Sequence, residues 1–247
     1  MIISHEHRFI FIHILKTGGE SVTAALEPTL GRHDIVLKSE SDIWLKSLLH
    51  SRYRELDGLR KHSTARAVQA ALPEQIWRDY FTFTFVRDPV DRAVSLYKYI
   101  AMVSDRRDRR RLRHLWYRTT QRGRNADPAA WRVTKAFRET NSFSEFIRHP
   151  DCATATGMRP QVSFVTDRKG RMLLDYVGKL EHLDHDFADV TAQLGLHVGP
   201  LPRVNVSRVS EPRIAHIEVT DDDRTLLRAR YRRDIEMFGY GSGQTVN

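Results

Sequence analysis

Arg8-Phe9-Ile10-Phe11-Ile12-His13-Ile14-Leu15-Lys16-Thr17-Gly18-Gly19-Glu20-Ser21 is the stretch whose reading decides the fold. Phe9, Ile10, Phe11, Ile12 and Ile14 form a short apolar, β-branched run that reads as a buried strand. The run stops abruptly at Lys16, and the next residues have the chemistry of an anion-binding turn. Adjacent glycines open backbone conformations closed to other residues, and the helix expected from Glu20 to Leu26 adds its positive N-terminal end. Lys16 supplies a full charge, and Thr17 and Ser21 supply hydroxyls. The lysine precedes the glycines, so Gly-x-x-x-x-Gly-Lys-Ser/Thr cannot be written here, which weakens an ATP or GTP reading.

A second stretch repeats the pattern. Tyr80-Phe81-Thr82-Phe83-Thr84-Phe85-Val86 reads as another buried strand, Arg87-Asp88-Pro89 ends it, and Val90 to Ile100 resume with helical spacing. An arginine at a strand's C-terminal end, followed by a helix carrying Ser95, suits a phosphate at the edge of a parallel sheet. Two strand-to-helix anion sites point to a ligand phosphorylated at two separate points.

These residues resemble a known family. Phe11 to Ser21 is similar to the 5′-phosphosulfate loop, and Phe85-Val86-Arg87-Asp88-Pro89-Val90-Asp91-Arg92 with Ser95 to the 3′-phosphate motif, of sulfotransferases that use 3′-phosphoadenosine 5′-phosphosulfate (PAPS). The branch resembled is the family 2 carbohydrate sulfotransferases, which include Golgi enzymes and many bacterial proteins. Further matches are Lys61-His62-Ser63-Thr64-Ala65, Arg159-Pro160-Gln161, Asp175 to Leu183, Leu201 to Asn205 and Tyr231 to Tyr240. Leu15 stands where the family usually has proline.

The resemblance implies an α/β fold of the P-loop-NTPase-like sulfotransferase type: one domain over residues 1–247, with a central parallel sheet flanked by helices. It implies PAPS as co-substrate, no metal, and a hydroxyl-bearing acceptor, a carbohydrate or glycoconjugate. Lys16, Thr17, Gly18, Gly19, Glu20 and Ser21 would hold the 5′ end, and Arg87 and Ser95 the 3′-phosphate. Lys179, Glu181 and Leu183 would line the adenine side. His62, before the Phe81 strand where related enzymes place a base, is assigned as base, and Lys16 as the cation on the bridging oxygen. His13 is the rival base, but it lies inside the strand pattern and reads as packed. Glu20 suits the helix dipole yet sits near an anionic ligand, so its side chain is expected to turn away.

Composition fits a globular rather than a disordered chain: 29% charged and 40% hydrophobic residues over 247 positions. The net charge of +9 implies an anionic partner without choosing among nucleotide, glycan, nucleic acid or membrane surface. Cys152 is the only cysteine, which excludes an internal disulfide. No apolar stretch approaches the roughly 18 residues of a membrane span. With the first strand so close to Met1, a cytoplasmic enzyme is expected; the bacterial origin rests on the resemblance. Nucleic acid is not expected as a partner. Two alternatives are a nucleotide-dependent kinase, which would need a magnesium carboxylate, and a non-catalytic polyanion binder, which would leave both anion motifs unemployed.

Other expectations complete the chain. Helices are read over Ser41–Leu49, Ala65–Leu72, Asp127–Thr140, Ser142–Arg148 with a serine cap, Asp184–Leu194 and Thr220–Phe238, and a strand over Met172–Val177. The basic run Asp105–Arg124 suits either a polyanionic acceptor or a solvated face. Residues 199–208 suit either a lid or a plain connection.

Overall fold

The computed structural model describes residues 1–38, 56, 58–108, 128–202, 214 and 217–241. They divide into two compact units. One joins Met1–Arg87 to the described residues from Gln161 to 202, and the other joins Asp88–Pro160 to 214 and 217–241. The expected Ser41–Leu49 helix, most of the basic run and residues 203–208 lie outside the described residues.

The first unit is built on a five-stranded mixed sheet of order β3-β1-β2-β4-β5. Its strands are β1 (Ile2–Ser4), β2 (Phe9–Phe11), β3 (Ile35–Val36), β4 (Phe81–Val86) and β5 (Tyr176–Lys179). The expected parallel sheet is its β2-β4-β5 part, with Phe9 opposite Phe81 and Phe83 opposite Tyr176. Sequence reading did not find β1 and β3, which add an antiparallel edge. Asp34 staples that edge: its carboxylate accepts from the Ser4 hydroxyl at 2.6 Å and from the amides of His5 (2.6 Å), Glu6 (3.1 Å) and Gly31 (3.0 Å).

Alternation sends Phe9 and Phe11 of β2, and Phe83 and Phe85 of β4, to one face. There they form a single cluster with Val22 and Leu26 of α1 (Gly19–Leu26) and with Phe187 and Val190 of the helix Leu183–Gln193. The Phe11 and Phe83 rings stack at 5.2 Å. Ile10 and Ile12 alternate to the other face and are equally buried, so the sheet is covered on both sides. A parallel sheet requires such cover. β5 starts later than the expected Met172. The Asp175 carboxylate takes both the amide and the hydroxyl of Thr82 at 2.8 Å and sets the register, while Met172 only bridges Thr166.

The second unit is helical, its core gathered around the buried Tyr97 with Phe137, Phe143 and Phe146 at 5.0–5.6 Å. Asp88 caps the helix Pro89–Asp108 by accepting from the amides of Val90 (2.8 Å) and Asp91 (3.2 Å), and Pro89 fits its first position. The Ser142 cap expected for Phe143–Arg148 is present, accepting from the Glu145 amide at 3.2 Å. The single helix expected over Thr220–Phe238 is two, Asp221–Arg230 and Arg232–Phe238, broken at Tyr231. There the Tyr231 hydroxyl donates to the Met158 carbonyl at 2.8 Å, and its ring lies under the Arg92 guanidinium. Cys152 is buried, and burial pushes its thiol up to about 12, as for a packed rather than a nucleophilic residue. No described helix is long and apolar enough to cross a membrane.

Candidate functional site

All the site geometry below lies in the first unit. After Phe11 the chain stays tied to β4: the Ile12 amide donates to the Phe83 carbonyl at 2.9 Å, and the Thr84 hydroxyl donates to the Ile12 carbonyl at 2.6 Å. It then turns through two left-handed residues, Lys16 (φ 68°) and Gly18 (φ 81°). For a lysine that conformation costs on the order of 1–3 kcal/mol and is typical of ligand-binding loops. Thr17 is buried, and its hydroxyl donates to the Ile14 carbonyl at 3.1 Å. Its hydroxyl therefore fixes the turn.

α1 begins at Gly19 with no side-chain cap. The Ser21 and Val22 amides reach the Gly18 carbonyl at 2.9 and 3.3 Å. An eight-residue helix that starts on bare glycine offers its N-terminal amides and dipole to an anion. The two glycines have different causes. Gly18 needs a positive φ, and a Cβ there would lie 2.7 Å from Leu180 Cδ1 and 3.2 Å from Leu183 Cδ2. The segment read as the adenine side thus reaches the loop. Gly19 has an ordinary φ, but a Cβ there would collide with the His13 ring.

His13 is buried beneath the loop, stacked on Phe11 at 5.7 Å, and its Nδ1 has no hydrogen-bond partner. Burial, then the positive N-terminus, His62, Lys61 and Lys16, hold it neutral well below the usual histidine range. It is a packed residue, as its place in the strand pattern implied. His62 meets it edge-on, with ring centroids 4.8 Å apart. His62 Nδ1 lies 2.9 Å from the His13 carbonyl oxygen. A carbonyl only accepts, so Nδ1 carries the proton and Nε2 is left basic. Burial is the main cause that lowers the His62 pKa, to about 4, against the raising effect of that hydrogen bond. His62 does not cap the next helix; Thr64 does, accepting from the Ala67 amide at 3.2 Å.

Three cations share this corner. The Lys16 pKa falls to about 8, first by burial, then by the charge of Arg87, with Lys61 adding and Glu20 opposing. Lys61 forms an ion pair with Glu20 on the first turn of α1. Glu20 therefore turns to a lysine, a partner that sequence reading did not assign. The structure brings together Lys16, Gly18, Gly19, Glu20, Ser21, Lys61, His62 and Arg87. Ser95 belongs to the second unit, half-buried on the helix Pro89–Asp108.

Arg87 follows the last residue of β4. Its amide donates to Gln161 Oε1 at 3.0 Å, and its carbonyl accepts from Gln161 Nε2 at 2.7 Å. Only the match at Arg159-Pro160-Gln161 signalled this glutamine in the sequence. Away from the loop, His185, Asp186 and Asp189 hold ligand-type atoms within 4.8 Å of one another. His185 is already within ion-pair distance of both carboxylates, and Asp186 also accepts from the Lys179 amide at 2.6 Å.

A bare helix N-terminus and the cations of Lys16, Lys61 and Arg87 suit a multiply charged anionic donor, and the oriented, neutral His62 suits removal of a proton from an acceptor hydroxyl. No curated protein and no solved structure matched the chain. Residues 1–241 match the model of the Sulfotransferase family, in its family 2 form. The match spans both units and both anion motifs, and the chain belongs to the sulfotransferase family.

Proposed function

We propose that the chain transfers a sulfuryl group from PAPS to a hydroxyl of a carbohydrate or glycoconjugate, acting as one catalytic domain over the whole family match. The observation that carries this reading is His62, with Nδ1 held by the His13 carbonyl at 2.9 Å, beside a loop whose Lys16 has its pKa lowered first by burial and then by the charge of Arg87. The cradle fits the donor's chemistry: an uncapped helix start at Gly18 and Gly19, with Lys16, Lys61 and Arg87 beside the carboxylate of Glu20, which pairs with Lys61.

When bound, PAPS supplies an activated sulfuryl group on a phosphate leaving group. Lys16 balances the charge that grows on the bridging oxygen as the sulfur–oxygen bond breaks. His62 Nε2 takes the proton of the acceptor hydroxyl as its oxygen bonds to sulfur, and burial keeps Nε2 unprotonated at pH 7. Arg87 at the end of β4 serves the 3′-phosphate. A cytoplasmic location accords with a lone buried cysteine.

The test is thermal denaturation with adenosine 3′,5′-bisphosphate, ATP or 5′-AMP at equal concentration. A ligand at about 100 times its Kd adds roughly 2.7 kcal/mol of stability. Selective stabilisation by the bisphosphate, lost in Arg87→Ala, supports the reading. Equal stabilisation by ATP would turn the assignment toward a kinase, and no response to any nucleotide would remove the donor site.

A further inference from the structure

We infer that Gln161 is the positioning residue that sets recognition of the 3′-phosphate by Arg87, an inference that rests on the donor reading above. The parallel ladder ends at Val86 opposite Lys179, one residue before Arg87. The amide and carbonyl of Arg87 lie beyond the last ladder pair, at the sheet edge where the cations converge. Gln161, 74 residues away, fills that place with its side chain alone. Its carboxamide accepts from the Arg87 amide at 3.0 Å and donates to the Arg87 carbonyl at 2.7 Å, the two bonds that a further strand would make.

The glutamine is itself held. It is wholly buried and starts the helical turn Val162–Val165, whose Phe164 amide donates to the Gln161 carbonyl at 2.9 Å. Val162, Phe164 and Val165 are buried and anchor that turn. A side chain can close the sheet in this way where a strand cannot, because it extends the pairing by one residue without carrying backbone across the cation corner. Arg87 thereby starts from a backbone with a single orientation, so its guanidinium loses less freedom on binding a phosphate. Methionine keeps the shape of glutamine but makes neither bond. Asparagine keeps the amide but is one methylene too short to reach both groups.

The test compares the Kd of adenosine 3′,5′-bisphosphate with that of 5′-AMP, by calorimetry on the full chain, in wild type, Gln161→Met, Gln161→Asn and Arg87→Ala. We expect wild type to prefer the bisphosphate and Arg87→Ala to lose that preference. Gln161→Met and Gln161→Asn are expected to reduce it at least tenfold while 5′-AMP affinity stays within about twofold, a split that general destabilisation would not produce. Either variant that folds decides the point. Hydrogen exchange of the wild-type chain tests it without any substitution: the Arg87 amide should be as protected as that of Val86. An unprotected Arg87 amide, or Gln161 variants that keep the bisphosphate preference while Arg87→Ala loses it, overturns the inference. A wild type without any preference instead overturns the donor reading beneath it.

Discussion

His62 Nδ1 and the carbonyl oxygen of His13 are 2.9 Å apart, so the backbone of the anion loop itself chooses the tautomer of the histidine beside it. His62→Ala should therefore lower turnover by about 10²- to 10⁴-fold, the usual contribution of a positioned base. Bisphosphate affinity should stay within about twofold, because the cations and helix amides remain. Retained turnover would remove His62 from the mechanism.

The acid limb of kcat/KM should lie near pH 4 rather than near 6.5, since burial lowers the His62 pKa to about 4. The same shift links to folding. The unfolded chain binds the proton that the folded His62 refuses, so its contribution to stability is complete above about pH 6.5 and is lost as pH falls toward 4. A pH–rate profile with a limb at 6.5 would contradict the buried, oriented base.

On the alkaline side, Lys16 loses its charge near pH 8 in the free enzyme. Bisphosphate affinity should fall above that pH, and binding there should take up a proton, measurable by calorimetry in buffers of different ionisation enthalpy. Glu20 raises the Lys16 pKa, so Glu20→Gln should move this limb to lower pH. At pH 7, where Lys16 stays largely charged, the same variant removes a carboxylate from the anion site and frees Lys61. Affinity should then rise about two- to fivefold, as expected for one partly exposed charge. An unmoved alkaline limb would mean that Glu20 and Lys16 are uncoupled.

Gly19→Ala should damage catalysis without needing a backbone change, because its new methyl group meets the His13 ring rather than solvent. Displacing His13 disturbs the carbonyl that holds His62, so kcat should fall more than bisphosphate affinity. Gly18→Ala is expected to do the reverse. A left-handed alanine costs about 1–2 kcal/mol and deforms the cradle itself, so affinity should fall first. Steady-state kinetics with binding measurements on both variants distinguish the two glycines, and identical effects would refute the separate causes given for them.

Arg92 is buried, donates to the carbonyls of Gly157 (3.1 Å) and Arg159 (2.6 Å), and lies 5.7 Å from the centre of the Tyr231 ring. Arg92→Ala should cost about 3 kcal/mol or more, since two charge-assisted bonds vanish and a cavity opens. At about 2–4 °C per kcal/mol for a chain of this size, the midpoint of thermal unfolding should fall by roughly 6–12 °C. A shift under about 2 °C would show that Arg92 does not hold the second unit together.

Much of this was legible in the chain. Long, strongly apolar runs at Phe9 and Phe81, stopped by Lys16-Thr17-Gly18-Gly19 and Arg87-Asp88-Pro89, carry their own boundaries, and local chemistry is enough to read a strand, a turn and a helix start. The Ser142 cap was legible for the same local reason. The antiparallel strands β1 and β3 were not legible, because three and two residues are too few to show a period. The break at Tyr231 was hidden too; the partner its hydroxyl finds there is the Met158 carbonyl, 73 residues earlier. Residue types and their order along the chain determined which groups could bind an anion or move a proton. Only the tertiary structure decided which of them meet: His62 with the backbone 49 residues before it, Lys61 with Glu20, and Gln161 with Arg87. Such contacts depend on how distant segments pack against one sheet, and a hydrogen bond 2.9 Å long between residues so far apart leaves no periodic mark on either side of it.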